Sequence, residues 1–224
     1  MKKIITLLML LLTNSVYAAD KTGWTGFYAG GSLGVSNFNN SFAVGNPLEN
    51  FDQSKTKGAI GLDVGYNLQF NKWVMGVELN YLKLIDYLLN NDYANSTATT
   101  ISNRTRNSKI DNILTLTPKI GYALDNWMIY GKAGYARGDF KQYNFNTEAL
   151  VLTSSASKAL DGRTAGFGMN YKISNNFTAG LDYSYIKFSK SKIILTPVPP
   201  YTTNNLHNLE SDINLFLLSL NYHF

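Results

Sequence analysis

Apolar and polar side chains alternate along most of the chain, so that every second residue shares a face. Between residues 73 and 78, for example, Trp73, Met75 and Val77 alternate with Gly76 and Glu78. A period of two residues is that of a β-strand, whose successive side chains point to opposite faces. We therefore predict strands at about residues 24–37, 57–70, 72–86, 107–123, 127–138, 163–173, 176–188 and 212–224.

The fourth of these strands shows how the two faces are assigned. Ile110, Leu114 and Leu116 are placed on its apolar face, opposite Asp111 and Thr115. The other segments likewise have one apolar face and one face of small or polar residues. This pattern is typical of a transmembrane barrel, in which one face meets lipid and the other lines the lumen.

The connections between the predicted strands alternate in length. Three are tight turns, at Asn71-Lys72, Asp125-Asn126 and Ser174-Asn175. Between them lie four long polar stretches, at residues 38–56, 87–106, 139–162 and 189–211. A soluble β-sandwich would show no such alternation and would turn its apolar face to a core. We therefore predict an all-β fold, an eight-stranded antiparallel transmembrane β-barrel with short periplasmic turns and four long external loops.

The amino terminus has the features of a secretory signal. Lys2 and Lys3 precede an apolar run at residues 4–12, and Ala18 lies where signal peptidase reads a small residue. The run is shorter than the roughly 20 residues that a spanning helix needs. We predict that residues 1–18 are a signal peptide and that residues 19–224 form a barrel in the outer membrane of a Gram-negative bacterium.

The composition removes several classes of function. With no cysteine and only two histidines, His207 and His223, the chain has no disulfide framework and little basis for a metal site. Neither histidine has a serine within two positions, as the lipid-deacylating barrels require. Without the two signal-peptide lysines the net charge is 20 − 2 − 15 = +3, which gives no argument for nucleic acid. We expect no enzyme activity and no cofactor.

Five charged residues fall on the small, polar face of the predicted strands. They are Asp63, Glu78, Lys119, Lys132 and Asp182. All five lie at a similar distance along their strands from the short turns, and buried charges have to be paired. We predict that they form an internal ion-pair layer that holds the barrel together, in preference to a catalytic or conducting role.

Aromatic residues on the apolar face fall into two bands. The band beside the short turns contains Phe70, Trp73, Tyr122, Trp127, Tyr171, Phe177, Tyr222 and Phe224. The band near the other end contains Tyr81, Tyr135, Tyr183 and Tyr185. Two aromatic bands are expected where a barrel crosses the two membrane interfaces.

Several segments resemble strands of a known family: Trp24-Thr25-Gly26-Phe27-Tyr28-Ala29-Gly30-Gly31, Trp73-Val74-Met75-Gly76-Val77-Glu78 and Ile129-Tyr130-Gly131-Lys132-Ala133-Gly134. This family is that of the small porin-like surface antigens of alphaproteobacteria, which includes outer-membrane immunogenic and hemin-binding proteins within the outer membrane protein A-like barrel superfamily. The carboxyl end is similar to the signal read by the outer-membrane assembly machinery, in Leu218, Leu220, Tyr222 and Phe224. The resemblance implies an outer-membrane location and that machinery as a partner.

The leading functional hypothesis is a non-enzymatic, monomeric surface protein, structural or antigenic, with adhesion to a host receptor as a further hypothesis. The alternative is a small pore or a binder of hemin or another ligand, which the resemblance permits. Hemin needs an axial ligand, and His207, placed in the last external loop, is the one histidine on the predicted outer side. The tripeptide Arg137-Gly138-Asp139 is predicted to begin a turn at a loop base, in preference to the alternative of an adhesive RGD motif that binds host integrins.

Five basic residues continue the apolar face beyond the outer aromatic band. They are Lys83, Arg106, Arg137, Arg163 and Lys187. A cation on this face is costly in hydrocarbon but not at the interface, where lipopolysaccharide carries phosphates. One hypothesis is a rim that binds these phosphates and fixes the depth of the barrel. The alternative is ordinary snorkelling of long basic side chains.

Overall fold

The computed structural model describes residues 23–44, 49–85, 104–146, 151–194, 196–197 and 206–224. Their strands are β1 (Gly26–Val44), β2 (Glu49–Phe70), β3 (Trp73–Ile85), β4 (Arg104–Leu124), β5 (Trp127–Asn146), β6 (Val151–Lys172), β7 (Phe177–Phe188), β8 (Ser191–Ile194), β9 (Thr196–Pro197) and β10 (Leu206–His223). No helix in these ranges is long and apolar enough to cross a membrane.

The eight long strands form a closed antiparallel barrel, as the alternation predicts. Neighbours in the chain pair in sequence from β1 to β7, and β7 pairs with β10. Pairing of β1 with β10, from Tyr28 opposite His223 to Ala43 opposite Asn208, closes the ring. Closure leaves no unpaired strand edge in the hydrocarbon, where an unsatisfied backbone group costs several kcal/mol.

Two of the short connections are the predicted two-residue turns. Asn71 and Asp125 begin them with φ angles of 53° and 50°, a left-handed conformation that Asn and Asp tolerate better than most residues. The third connection occupies residues 173–176, between β6 and β7. Tight turns at this end agree with the predicted periplasmic side of the barrel.

The strands at the opposite end are longer than predicted. β1 continues to Val44 and β2 begins at Glu49, so most of the predicted loop at residues 38–56 is strand. The predicted loop at residues 139–162 is likewise mostly β5 and β6, which pair as far as Asn146 opposite Val151. Short strands β8 and β9 occupy part of residues 189–211, and most of the predicted loop at 87–106 lies outside the described residues. Polar residues occupy both faces of much of these segments, which interrupts the alternation that marks a strand.

Side-chain exposure follows the predicted faces over the membrane-spanning part of the barrel. Phe167 and Leu62, for example, are 63% and 67% exposed on the outer surface. Ile110 is an exception, because it is 1% exposed and points inward with Ile113. A β-bulge between these two residues shifts the register, so the assignment of Ile110 to the lipid face was wrong.

The aromatic band beside the short turns consists of paired rings on the outer surface. Trp73 contacts Tyr122 with ring centroids 5.3 Å apart, and Trp127 contacts Tyr171 at 4.7 Å. Phe177 and Tyr222 are 5.2 Å apart. These contacts join the aromatic residues of adjacent strands into the girdle expected at a membrane interface.

Candidate functional site

The periplasmic end of the lumen is closed by an apolar cluster. Trp24, which is 1% exposed, packs there with Val74, Ala123, Met128 and Tyr130. The Lys172 ammonium stands 4.8 Å above the Trp24 ring and donates a hydrogen bond to the Gly23 carbonyl oxygen over 2.8 Å. These contacts hold the segment before β1 inside the barrel mouth.

A charged layer lies next along the lumen. The Glu78 carboxylate is 3.3 Å from the Lys119 ammonium and 3.0 Å from that of Lys132. Lys132 also lies 3.0 Å from a carboxylate oxygen of Asp182. The structure thus brings together four of the five residues of the predicted ion-pair layer, as a series of linked ion pairs across the lumen.

Asp63, the fifth residue of that predicted layer, is placed differently. It is buried and accepts a hydrogen bond from the Asn80 amide. No salt bridge joins it to a cation of the described ranges. An amide donor therefore meets this carboxylate where an ion pair was predicted.

Two tyrosines complete the charged layer, and neither was predicted from the sequence. The Tyr28 hydroxyl donates to Glu78 over 2.7 Å and accepts from Lys119 over 2.7 Å. Tyr130 donates to Asp182 over 3.1 Å. The Lys119 ammonium also lies 4.5 Å from the centroid of the Tyr28 ring, a cation–π contact.

A sequence signal for these tyrosines exists in the glycines beside them. Gly65 is the cross-strand partner of Tyr28, and Gly168 that of Tyr130. A β-carbon at either glycine would collide with the neighbouring tyrosine ring. Large inward aromatics opposite inward glycines therefore indicate rings that lie flat across the lumen wall.

The outer half of the lumen is filled by a second apolar cluster. Its members include Phe38, Leu82, Leu84, Ile110, Ile113, Phe140, Ile186, Phe188, Ile213, Leu215 and Leu217. All of these are at most 6% exposed. These apolar side chains lie between the charged layer and the outer opening, where the Lys57 side chain is buried as well.

The outer rim carries mixed charges on its lipid-facing side. Lys187 and Lys190 share Glu210, at 3.3 and 3.0 Å, and hydrogen bonds from these lysines lower the pKa of the Glu210 carboxyl below its usual range. Arg137 lies 3.9 Å from Asp161. Lys83 and Arg163 are exposed on the same surface of the barrel. Arg106 is part of β4, but its side chain lies outside the described residues.

The RGD tripeptide lies inside a strand, so the predicted turn was wrong. β5 continues through Arg137, Gly138 and Asp139, which pair with residues of β6. Gly138 is buried, and a β-carbon there would meet the ring of Phe188. The polar residues around the tripeptide suggested a loop. The hydrogen bonds between β5 and β6 are made by the backbone, however, and do not require an apolar face.

The two histidines lie at opposite ends of β10. His223 is inside the periplasmic mouth, where its ring stacks on Tyr28 with centroids 5.4 Å apart and its Nε2 atom is 3.2 Å from the Thr178 hydroxyl. His207 pairs with Ile193 of β8, so it belongs to a strand and not to a loop. Its side chain lies outside the described residues. No metal-binding group of three acidic, histidine or cysteine side chains occurs in the described ranges.

The residues of the predicted assembly signal share one surface. Leu218, Leu220, Tyr222 and Phe224 are all exposed on the outside of the barrel at its carboxyl end. The backbone amide of Phe224 donates to the Phe27 carbonyl oxygen over 3.0 Å. The last residue is thereby joined to the first strand at the seam between β1 and β10.

Comparison with known proteins gives concordant matches. The outer membrane protein beta-barrel domain family matches residues 6–224. The 31 kDa outer-membrane immunogenic protein of Brucella melitensis is 26% identical over 195 residues, 78% of this chain and 75% of that protein. The 22 kDa outer membrane protein of Rhizobium leguminosarum is 29% identical over 167 residues, 74% of this chain and 64% of that protein.

A solved structure supports the fold. The crystal structure of the outer membrane protein OprG from Pseudomonas aeruginosa aligns with a TM-score of 0.53 and 12% identity, over 91% of this chain and 98% of its own. At this identity the likeness concerns the fold alone.

Proposed function

Because the chain belongs to the outer membrane protein β-barrel domain family and is an outer-membrane protein, we propose that it serves as a non-conducting surface scaffold and antigen. The membership confirms the predicted barrel and the resemblance to outer-membrane immunogenic proteins. The proposed role goes further: the barrel anchors long paired strands that stand above the membrane, and it performs no catalysis.

The filled lumen is the observation that carries this proposal. The charged layer around Glu78 lies between two apolar clusters, and Trp24 and Leu82 within these clusters are each 1% exposed. An ion would have to cross an apolar layer on either side of the charges, at a large desolvation cost. This arrangement favours a structural role for the lumen over the pore alternative.

The display part of the proposal rests on the length of the strands. Beyond Arg137 at the rim, β5 continues to Asn146 and pairs with β6 throughout. At about 3.3 Å per residue this adds roughly 30 Å of strand above the outer interface. Paired strands of this length present a defined surface to the outside, as an antigen or an adhesive surface requires.

Single-cysteine labelling tests the display, because the native chain has no cysteine. Ser157→Cys places a thiol on the exposed outer part of β6, and Asn126→Cys places one in a periplasmic turn as the matched control. A membrane-impermeant maleimide should label the first variant on intact cells and the second only after lysis. Labelling of the second variant alone on intact cells would contradict the proposed orientation.

The adhesive part of the proposal has its own test. Replacing residues 143–155 by a short Gly-Ser turn would join Gln142 to its cross-strand partner Ala156 and remove the tip of the β5–β6 hairpin. Bacteria that produce this variant should bind host cells less well than those that produce the parent, at equal surface amounts. Unchanged binding would reject the adhesive role and leave the scaffold role in place.

A hemin titration tests the remaining alternative. If the parent binds hemin with a Soret shift that the His207→Ala variant loses, the ligand-binding role replaces the scaffold. His223→Ala is the control, since His223 lies at the periplasmic end of the same strand.

A further inference from the structure

Two basic residues lie side by side at the outer rim of the barrel. Arg163 of β6 and Lys187 of β7 are cross-strand partners, and both side chains are exposed on the lipid-facing surface. Directly opposite residues in an antiparallel pair have β-carbons roughly 5 Å apart. A single phosphate group can therefore contact both side chains at once.

The height of this pair is marked by the aromatic residues beneath it. The next outward-facing pair toward the periplasmic end is Ala165 and Tyr185. In the pair after that, Phe167 contacts Tyr183 with ring centroids 5.4 Å apart. Tyrosines of this kind occupy the headgroup level of a membrane. Arg163 and Lys187 consequently reach the level of the lipid phosphates.

Arg163 is available for an external anion. Within the ranges that the structure covers, no salt bridge involves Arg163, whereas Arg137 has Asp161 nearby. Lys187 has acidic neighbours on its other side, since Glu210 is 3.3 Å away and Asp212 lies opposite on β10. Glu210 is shared with Lys190, and Asp212 accepts a hydrogen bond from Asn39. Because an ammonium has three N–H donors, Lys187 can donate to an external anion as well as to Glu210.

We propose that Arg163 and Lys187 form a binding site for the phosphate of a phosphorylated glycolipid of the outer leaflet, which in this membrane is lipopolysaccharide. The Arg163 guanidinium supplies two parallel N–H donors that match two phosphate oxygens, and Lys187 adds a third donor. Acyl chains of the same lipid lie against the tyrosines below. This narrows the five-residue rim hypothesis to one side of the barrel.

Lys83 provides an internal comparison. It faces outward at the rim on β3, but its cross-strand partners are Ile60 and Asn112, which carry no charge. A lone exposed lysine at this level is explained by snorkelling. We therefore expect Lys83 to contribute little to phosphate binding.

The test compares two double variants of the refolded full barrel in detergent micelles. Arg163→Gln with Lys187→Gln removes the proposed site, and Lys72→Gln with Lys158→Gln removes two exposed lysines that do not belong to the outward rim. Each protein is melted alone, with lipopolysaccharide, with enzymatically dephosphorylated lipopolysaccharide, and with inorganic phosphate at the same phosphate concentration. The shift in melting midpoint is the readout.

The parent and the control variant should gain the same upward shift from lipopolysaccharide, and the site variant should lose more than half of it. Dephosphorylated lipopolysaccharide and inorganic phosphate should give little shift with any protein. An equal lipopolysaccharide shift in the site variant would overturn the proposal. An equal shift with inorganic phosphate would overturn the glycolipid as ligand. If the double variant does not refold, the single variants Arg163→Gln and Lys83→Gln are compared instead. The first should lose part of the lipopolysaccharide shift in melting midpoint and the second should keep it, and equal shifts would overturn the proposal.

Discussion

The Tyr28 hydroxyl donates a hydrogen bond over 2.7 Å to the Oε2 atom of Glu78, although 50 residues separate the two in the chain. The same carboxylate meets the ammonium groups of Lys119 and Lys132. Glu78 is therefore the centre of the charged layer, and strands β1, β3, β4 and β5 contact one another through it.

Neutralising Glu78 should destabilise the barrel strongly. Glu78→Gln keeps the shape of the side chain but leaves Lys119, whose side chain is 2% exposed, without its carboxylate. Breaking a buried pair in this way costs about 3–5 kcal/mol. We expect a loss of this size in the free energy of unfolding, measured by urea titration in phospholipid vesicles.

An exposed ion pair of the same barrel is the control for that measurement. Asp161→Asn removes the partner of Arg137, and both side chains of this pair are more than half exposed. Surface pairs contribute about 0–1 kcal/mol, so this variant should unfold almost as the parent does. If the two variants lose equal stability, the charged layer does not hold the barrel together.

The Tyr28 hydroxyl should act through Glu78 and Lys119 and not by itself. Tyr28→Phe removes a group that bridges the carboxylate and the ammonium, at an expected cost of about 1–3 kcal/mol. In a double-mutant cycle with Glu78→Gln, the two losses should fall short of additivity by at least about 0.5 kcal/mol. Strict additivity would mean that the two residues stabilise the barrel independently.

Prediction from sequence succeeded where the membrane imposes alternation. Glu78, Lys119 and Lys132 face inward as the pattern required, because each lies on a strand with lipid on its other face. Tyr28 and Tyr130 carry no charge and were not predicted to belong to the layer, although their hydroxyls complete it. Their role depends on which side chains of distant strands meet, and this depends on the stagger of the closed barrel.

Prediction failed where the membrane no longer imposes a regular alternation of apolar and polar residues. The outer parts of β5 and β6 were predicted to be a loop because polar residues interrupt the alternation there, although Phe140 and Leu160 are buried in the lumen. Ile110 was assigned to lipid because a bulge adds residues to one strand without a sequence marker of its own. Leu215 and Leu217 of the outer apolar cluster are buried in the lumen, on the face that alternation with the exposed Leu218 and Leu220 assigns to it.

Loss of the Phe224 side chain should impair assembly into the outer membrane more than it lowers the stability of the folded barrel. Phe224→Ala alters the proposed assembly signal, and Phe216→Ala, which changes an exposed phenylalanine of β10 on the same outer surface, is the matched control. We expect the first variant to accumulate less folded protein in the outer membrane and the second to accumulate nearly parental amounts. Heat-modifiability on gels of isolated membranes measures the folded fraction. Equal amounts of both variants would contradict an assembly role for Phe224.

The RGD tripeptide should not mediate adhesion. Arg137 and Asp139 are exposed, but Gly138 between them is packed inside β5 and the segment is paired with β6. An integrin would need the tripeptide at an accessible apex. Asp139→Glu should therefore leave the attachment of bacteria to integrin-bearing cells unchanged. A loss of attachment comparable with that caused by a soluble RGD peptide would contradict this account.

Conductance across a planar lipid bilayer tests the central claim most directly. The refolded parent protein, checked for heat-modifiability beforehand, is added to one side, and heat-denatured protein serves as the control. Because apolar clusters that include Trp24 and Leu82 enclose the charged layer, we predict no stable conductance steps above those of the control. A reproducible ohmic channel from the folded protein would contradict the sealed scaffold and favour the pore.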